Sequence, residues 1–339
     1  MNRQRFEQIT GAYGRLKVVV AGDFCLDRYL HVDASLEERS LETNLPAHQV
    51  VQVRPQPGGA GTVLTNVLAL APAEARAVGF CGHDGEGYEL LRALRALGAN
   101  LDSFLRTRRR TTFTYTKPLL IRPGRPPEEL SRLDIRDRTP TPAGLVKRII
   151  ARLQSAAADA DAVILLEQVT ESRNGVLSPP VKQAVAELAR QAGGKVFLAD
   201  SRCEPGGFAN VHLKVNRQEL RRHFADADSD AEALARRWSA QTGRYVFVTL
   251  GADGLLGAAP GGGVHRAAGI RREGPIDVVG AGDAVSAHLA MALAAGASLP
   301  EAVELANLAG SIVVGKIGTT GTATIVELAG ALGQTGQDL

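Results

Sequence analysis

The feature that most constrains this chain is a repeated alternation of two patterns. Short apolar runs recur along it, separated by segments with helical spacing. The runs are "LKVVVAGD" from Leu16, "ARAVGFCG" from Ala75, "DAVILLE" from Asp161, "KVFLAD" from Lys195, "VHLKVN" from Val211 and "RYVFVTLG" from Arg244. Each is too short for a buried helix and reads as a strand. Between them, "GEGYELLRALRALGA" places Leu90, Leu91, Leu94 and Leu97 on one helical face and stops at Gly98. Pro142–Ala158, Ser178–Ala192 and Asp230–Thr242 read as further helices, the second with prolines in its first turn. "PGGAGTVLTNVLALA" is a Gly-rich turn leading into an apolar helix, and two helical segments from Gly280 and Pro300 come last. Strand and helix in alternation predict an α/β fold: a central, mostly parallel sheet covered by helices on both faces.

Two stretches break the alternation. Residues 28–56 contain "HQVVQVRP", and "TTFTYTKPLLI" runs from Thr111 to Ile121. Both are rich in strand formers and polar side chains. They predict a small separate sheet, a lid formed by segments near 27–56 and 108–122 and inserted in one domain spanning 1–339. Val264–Ile276 is expected to hold short strands.

The totals exclude several classes. An apolar fraction of 45% with 22% charged residues suits a globular chain with a sizeable core. A net charge of +3 is too small to argue for nucleic acid. No apolar run reaches the length of a membrane span, and "MNRQRFEQIT" lacks the apolar core of a secretion signal. Cys25, Cys81 and Cys203 lie far apart without metal spacing and read as packing thiols in a reducing cytoplasm.

Chemistry concentrates where strands end. "AGD", "LLEQ", "LADSR", "KVNRQE" and "VTLGADG" place polar or Gly-rich turns after strand patterns, where parallel sheets bind ligands. "VVGAGDAVSA" puts Asp283 at the mouth of a helix behind Gly280 and Gly282. Glycines let backbone N–H groups approach an anion, and a helix start adds positive potential. Asp283 is then either a helix cap or a base that takes a proton from a hydroxyl while the amides hold a phosphoryl group. On these four residues alone the helix cap is the favoured reading.

"DVVGAGDAVSA" closely resembles the C-terminal signature of the ribokinase-like carbohydrate kinases, the family that includes fructokinases and adenosine kinases. "PGGAGTVLTN" resembles their N-terminal Gly-Gly signature. "VAGDFCLDRYL" looks like their first strand and sugar-contacting turn, "KVNRQEL" like their Asn-x-x-Glu motif and "VTLGADGLLG" like their nucleotide-loop strand. The resemblance covers about residues 16–330. "GDFCLDRY" and "VVGKIGTTGTATIVEL" are most similar to the heptose 7-phosphate kinases of ADP-heptose synthesis. The nucleotidyltransferase domain fused to some of those kinases is not expected here, since the sequence stops at Leu339.

The resemblance implies an ATP-dependent sugar kinase. Asp283 would be the base, and Gly280, Ala281 and Gly282 the anion hole. Asn216 and Glu219 would hold Mg²⁺–ATP, Glu219 through water. Thr249, Gly251, Gly254 and Asn307 would lie along the nucleotide. Asp27, Gly58, Gly59 and Thr62 would meet the sugar, and Asp277 would match a monovalent cation (K⁺) position. The lid would close over the sugar and could pair with a second copy as a homodimer. No nucleic acid or membrane partner is implied.

Three positions depart from the family pattern. Thr62 stands where Asn is usual. Glu167 and Gln168 follow the central strand where the heptose kinases carry Ser-Asp-Tyr. Asp200-Ser201-Arg202 replaces Asp-Pro-Lys. All fall on the sugar or phosphate side, so the acceptor is less defined than the chemistry. A sugar phosphate is the leading acceptor; an unphosphorylated sugar or nucleoside, or a non-catalytic binder, is the alternative. Arg106, Arg108, Arg109 and Arg110 read as a solvated loop, against a phosphate grip for one of them.

Overall fold

In the computed structural model, which describes residues 1–226, 229–318 and 320–334, the chain opens with helix α1 (Arg3–Ala12). Asn2 caps it, accepting the Arg5 amide at 2.9 Å, and Phe6 and Ile9 are buried. The sequence reading assigned no helix here, because the apolar face is too sparse to show a period. β1 (Lys17–Gly22) runs almost directly into β2 (Phe24–Asp33). β3 (Glu38–Arg39), β4 (Pro46–Ala47) and β5 (Val50–Gly59) lead to α2 (Ala60–Leu68). Next come β6 (Glu74–Val78), β7 (Phe80–Gly82), α3 (Gly85–Ala96) and β8 (Leu105–Thr107). β9 (Thr114–Ile121), β10 (Glu128–Glu129) and β11 (Leu133–Ile135) follow. Then strands and helices alternate: α4 (Ala143–Ala157), β12 (Ala162–Glu167), α5 (Pro179–Gln191), β13 (Val196–Ser201), β14 (His212–Asn216), α6 (Arg217–Phe224) and α7 (Ala231–Thr242). β15 (Val246–Thr249), β16 (Leu255–Ala258) and β17 (Val264–Ala267) precede α8 (Ala281–Ala294), α9 (Leu299–Val313) and α10 (Ile325–Gln334).

The large sheet has the order β17-β16-β15-β14-β13-β12-β1-β6. From β6 to β15 neighbouring strands are parallel; β16 and β17 add antiparallel pairs at one edge. Side chains alternate across the pleat. Val18 and Val20 enter the core under α2, α8 and α9, whereas Val19 and Ala21 enter the core under α4, α5 and α7. Burial on both faces is why these strands read as continuous apolar runs.

The smaller sheet has the order β10-β9-β2-β5, with β11 also on β9. It is an extension of β1: the chain changes sheet at Gly22-Asp23. A Cβ on Gly22 would fall 2.1 Å from the Leu166 oxygen, so that crossing needs glycine. The Asp23 carboxylate fastens it, accepting the amides of Gln168, Val169 and Val176 at 2.8, 3.1 and 2.7 Å.

Several local expectations change. "ARAVGFCG" is two strands in different sheets, because Gly79 packs under Phe24, where a Cβ would lie 2.7 Å from its ring. Only Val264–Ala267 of the 264–276 stretch is a strand. α10 was not anticipated, although Thr324 and Glu327 cap it reciprocally. Residues 335–339, the end of the expected domain, and Thr319 of its closing motif lie outside the described residues.

Candidate active site

The carboxyl ends of β1, β12, β13, β14 and β15 line up at one edge of the large sheet and carry Asp23, Glu167, Ser201, Asn216 and Thr249. The N-termini of α2 and α8 converge beside this edge. The space over Gly280 is bounded by Thr62 and Thr320: a Cβ there would meet Thr62 Cγ2 at 3.5 Å and Thr320 Cβ at 3.4 Å.

Gly280 is the N-cap of α8, left-handed at φ +82°, and offers no capping side chain. The Ala281 amide donates to Val278 O and the Ala284 amide to Gly280 O. Among the described hydrogen bonds, the amides of Gly282 and Asp283 between them have no acceptor. An anion here would meet the amides of Gly282 and Asp283 with the helix potential behind them, whereas the Ala281 amide expected to join Gly280 and Gly282 in the anion hole is taken by Val278 O.

Asp283 sits in the first turn of this helix. Its carboxyl is pushed up to about 7, first by burial and then by the negative charge of Asp200; Lys214 and Arg202 pull the other way, and Asp27 adds to the rise. The cap reading of Asp283 finds no support: its side chain accepts no capping hydrogen bond in α8. A carboxylate near 7 is poised as a base at neutral pH.

Beneath the loop lies a buried cluster that the sequence reading did not assign. Lys214 Nζ donates to Asp200 Oδ2 at 2.7 Å, and Ser286 Oγ donates to the same oxygen at 2.8 Å. Lys214 is 6% exposed and Asp200 5%. A lysine inside the apolar "VHLKVN" strand was the available signal.

Asn216 and Glu219 form a capping box at α6. Asn216 Oδ1 accepts the Glu219 amide and Glu219 Oε2 accepts the Asn216 amide, both at 2.8 Å. Glu219 is buried, and burial raises its carboxyl above the usual range. Its Oε1 makes no protein hydrogen bond among the described residues. No group of three or more His, Cys, Asp or Glu among the described residues could hold a metal directly. Asn216 and Glu219 thus present oxygen atoms, the donor type Mg²⁺ takes.

Thr249, Gly251, Gly254 and Asn307 come together at one side of this edge. Gly251 and Gly254 turn the chain at φ +65° and +98°. A Cβ on Gly254 would strike Ala267 O at 2.1 Å, and Asn307 Nδ2 donates to Ala268 O at 2.8 Å. Thr249 Oγ1 reaches Val215 O at 3.4 Å.

Asp27, Gly58, Gly59 and Thr62 gather on the other side. A Cβ on Gly58 would lie 2.8 Å from the Asp27 carboxylate, and Gly59 starts α2 at φ +58°. Asp27 is buried, which raises its carboxyl, and Lys117 opposes this from 3.6 Å. The Lys117 ammonium also lies over the Tyr29 ring, as does the Arg54 guanidinium. Arg132 and Arg202 act on Asp27 as well. Thr62 turns its hydroxyl back to Pro57 O at 3.3 Å.

The departures at Glu167 and Ser201 have a structural use. Lys182 pairs with Glu167 at 2.8 Å, and Ser201 Oγ donates to Glu167 Oε2; all three side chains are buried. Asp277 lies beside the α8 loop. Its Oδ1 accepts the Val279 amide at 3.0 Å and its Oδ2 the Gly318 amide at 3.2 Å. The arginine run divides. Arg106, Arg108 and Arg109 are exposed, but Arg110 is 5% exposed and donates to Thr139 O, Thr141 Oγ1 and Asn174 O. That corrects the solvated-loop expectation for Arg110: it ties the 107–113 segment to the 139–141 and 174 turns.

A two-sided parallel sheet with a smaller sheet at its carboxyl edge and a glycine loop opening a buried helix is the ribokinase-like architecture. Among solved structures, a phosphofructokinase-2 variant from Escherichia coli superposes with a TM-score of 0.71 at 15% identity, covering 95% of this chain and 99% of that one. The Arabidopsis thaliana ribokinase complexed with ribose and ATP gives 0.68 at 18%, covering 94% and 99%. The model of the pfkB family carbohydrate kinases matches residues 152–325. The chain belongs to that family. It is 35% identical to the bifunctional protein HldE of Halorhodospira halophila over 94% of this chain and 64% of that one. It is 33% identical to HldE of Mesorhizobium japonicum over 94% and 62%. The chain thus spans under two thirds of the length of these relatives. No helix among the described residues is long and apolar enough to cross a membrane.

Proposed function

We propose that this protein transfers the γ-phosphoryl group of ATP to a hydroxyl of a sugar phosphate, with a heptose 7-phosphate as the leading acceptor. The observation that carries the reading is Asp283: a carboxyl pushed up to about 7, beside two amides without acceptors at a helix N-terminus. Asp283 removes the acceptor proton, and the amides of Gly282 and Asp283 hold the phosphoryl oxygens. Glu219 and Asn216 would hold Mg²⁺ with the ATP phosphates, where it would supply charge neutralisation. Thr249, Gly251, Gly254 and Asn307 line the nucleotide. Asp27, Gly58, Gly59 and Thr62 face the sugar, under the smaller sheet as a lid that excludes water.

A phosphorylated acceptor is supported by Lys117, Arg132 and Arg202, whose positive charges all act on Asp27. Arg202 is exposed, and its guanidinium has no ion pair among the described residues. Arg geometry suits a phosphate. The test is an acceptor screen with ATP and Mg²⁺, pairing sugars with their phosphates and including heptose 7-phosphates. Preference for an unphosphorylated sugar or nucleoside would refute the sugar-phosphate assignment. Ligand binding without turnover of any acceptor would refute the kinase reading in favour of a sensor.

A further inference from the structure

We infer that Lys214 is a further catalytic residue, whose ammonium contacts the phosphoryl group in transfer beside Gly282. The inference rests on the kinase reading above and assigns a charge that reading leaves unused.

The geometry comes from three elements. β14 delivers Lys214 two residues before the α6 cap. β13 delivers Asp200, which Ser286 of α8 also grips through Oδ2. This fixes the ammonium against the first turn of α8. A Cβ built on Gly282 would stand 3.0 Å from Lys214 Nζ, the one contact within 4 Å among the described residues outside its own chain neighbours and helix backbone. The ammonium therefore borders the side-chain side of Gly282, a residue whose amide has no acceptor among the described hydrogen bonds. Gly282 does not have a positive φ, so its backbone does not demand glycine. The neighbouring ammonium is what a methyl group there would crowd.

A structural ion pair alone explains less. An ammonium has three donors, and Lys214 has one hydrogen bond among the described residues, to Asp200. Burying such a pair for stability is inefficient, because apolar side chains fill the same space without desolvation. A phosphoryl oxygen at the α8 cradle would take one of the remaining donors. In the reaction, the acceptor O–H proton passes to Asp283 and the acceptor oxygen bonds to the γ-phosphorus. The bond from that phosphorus to the β,γ-bridging oxygen breaks, and its electron pair leaves with ADP. Lys214 stays protonated throughout and stabilises a non-bridging oxygen.

The test compares wild type, Lys214→Met, and Lys214→Met combined with Asp200→Asn. The double variant removes the buried charge left unpaired by the single one, so folding does not decide the result. Kinetics use the best acceptor from the screen, and calorimetry measures ADP binding with and without aluminium fluoride. Both variants should lose kcat by about 100-fold or more, the scale of one oxyanion donor, with KM for ATP within about threefold. Aluminium fluoride should tighten ADP binding in wild type only. A kcat within about threefold of wild type in either variant, or retained tightening, overturns the assignment of Lys214 alone. No turnover by wild type on any acceptor overturns the kinase reading and this inference with it.

Discussion

Replacing Asp283 by Asn tests the base through two independent observables. In the unfolded chain the carboxyl titrates near 3.8, and in the folded protein at about 7. The folded state therefore binds the proton more tightly. Below 3.8 both states are protonated and the site costs nothing. As pH rises from there, the unfolded state gains stability by ionising while the folded state does not, at about 1.4 kcal/mol per pH unit. Above 7 the penalty is complete, at about 4 kcal/mol. Asn cannot ionise and resembles the protonated acid. Asp283→Asn should thus be more stable than wild type by a margin that grows from pH 4 to 7 and then levels. For a chain of this length that margin is about 5 °C in Tm at pH 8. Activity moves the opposite way: kcat falls by about 100-fold or more in the variant. In wild type, kcat/KM should fall tenfold per pH unit below about 7. Thermal melts at pH 5 and 8 and a pH–rate profile check all three. A stability margin independent of pH, or near-normal turnover by the variant, refutes the reasoning.

Arg110→Ala removes a buried guanidinium from two carbonyls and two hydroxyls, and should cost about 2–4 kcal/mol in urea unfolding with kcat within about twofold. Arg202→Ala should raise KM about tenfold for a phosphorylated acceptor and leave an unphosphorylated one unchanged, as paired kinetics would reveal. Strand β5 is an edge with Val51 and Val53 exposed; if the protein pairs with a second copy through this edge, Val51→Lys/Val53→Lys should dissociate it, and sedimentation velocity showing the same mass for both proteins would refute pairing there. If Asp277 orders the α8 loop with a monovalent cation, replacing K⁺ by choline should lower kcat in wild type and not in Asp277→Ala, the two rates being compared at fixed ionic strength.

What was legible in the sequence follows from what was local in it. The parallel strands were readable because both their faces are buried, which leaves unbroken apolar runs such as "AVILLE". β10 and β11 were not, because their residues are exposed and carry no alternation. α10 hid behind a short Gly-rich segment, although its Thr-x-x-Glu cap was present. In the site, Asn216 with Glu219 and Gly280 with Asp283 are neighbours in sequence and could be named. Lys214, Asp200 and Ser286 are joined across 14 and 86 residues, a proximity only the sheet order creates. Arg110 was misjudged for the same reason: the acceptors that bury it come from turns 29 to 64 residues away.

The Asn216–Glu219 pair shows why a motif can be structural and chemical together. Its reciprocal hydrogen bonds explain the Asn-x-x-Glu spacing as a helix cap, and a cap alone would be satisfied at the surface. Here Glu219 is only 8% exposed, and burial raises its carboxyl. Placing a carboxylate where its charge is disfavoured is a poor way to start an eight-residue helix. The cap gains its sense from what surrounds it. Lys214 and Arg202 supply positive charge, and Asp200 opposes it. The cap engages Oε2 and leaves Oε1 without a protein hydrogen bond among the described residues. A substitution that keeps the cap while removing the charge, Glu219→Gln, separates the two duties. It should preserve Tm within about 2 °C, since Gln also serves at this capping position. It should raise the Mg²⁺ concentration needed for half-maximal rate, and an unchanged requirement would leave Glu219 a cap and nothing more.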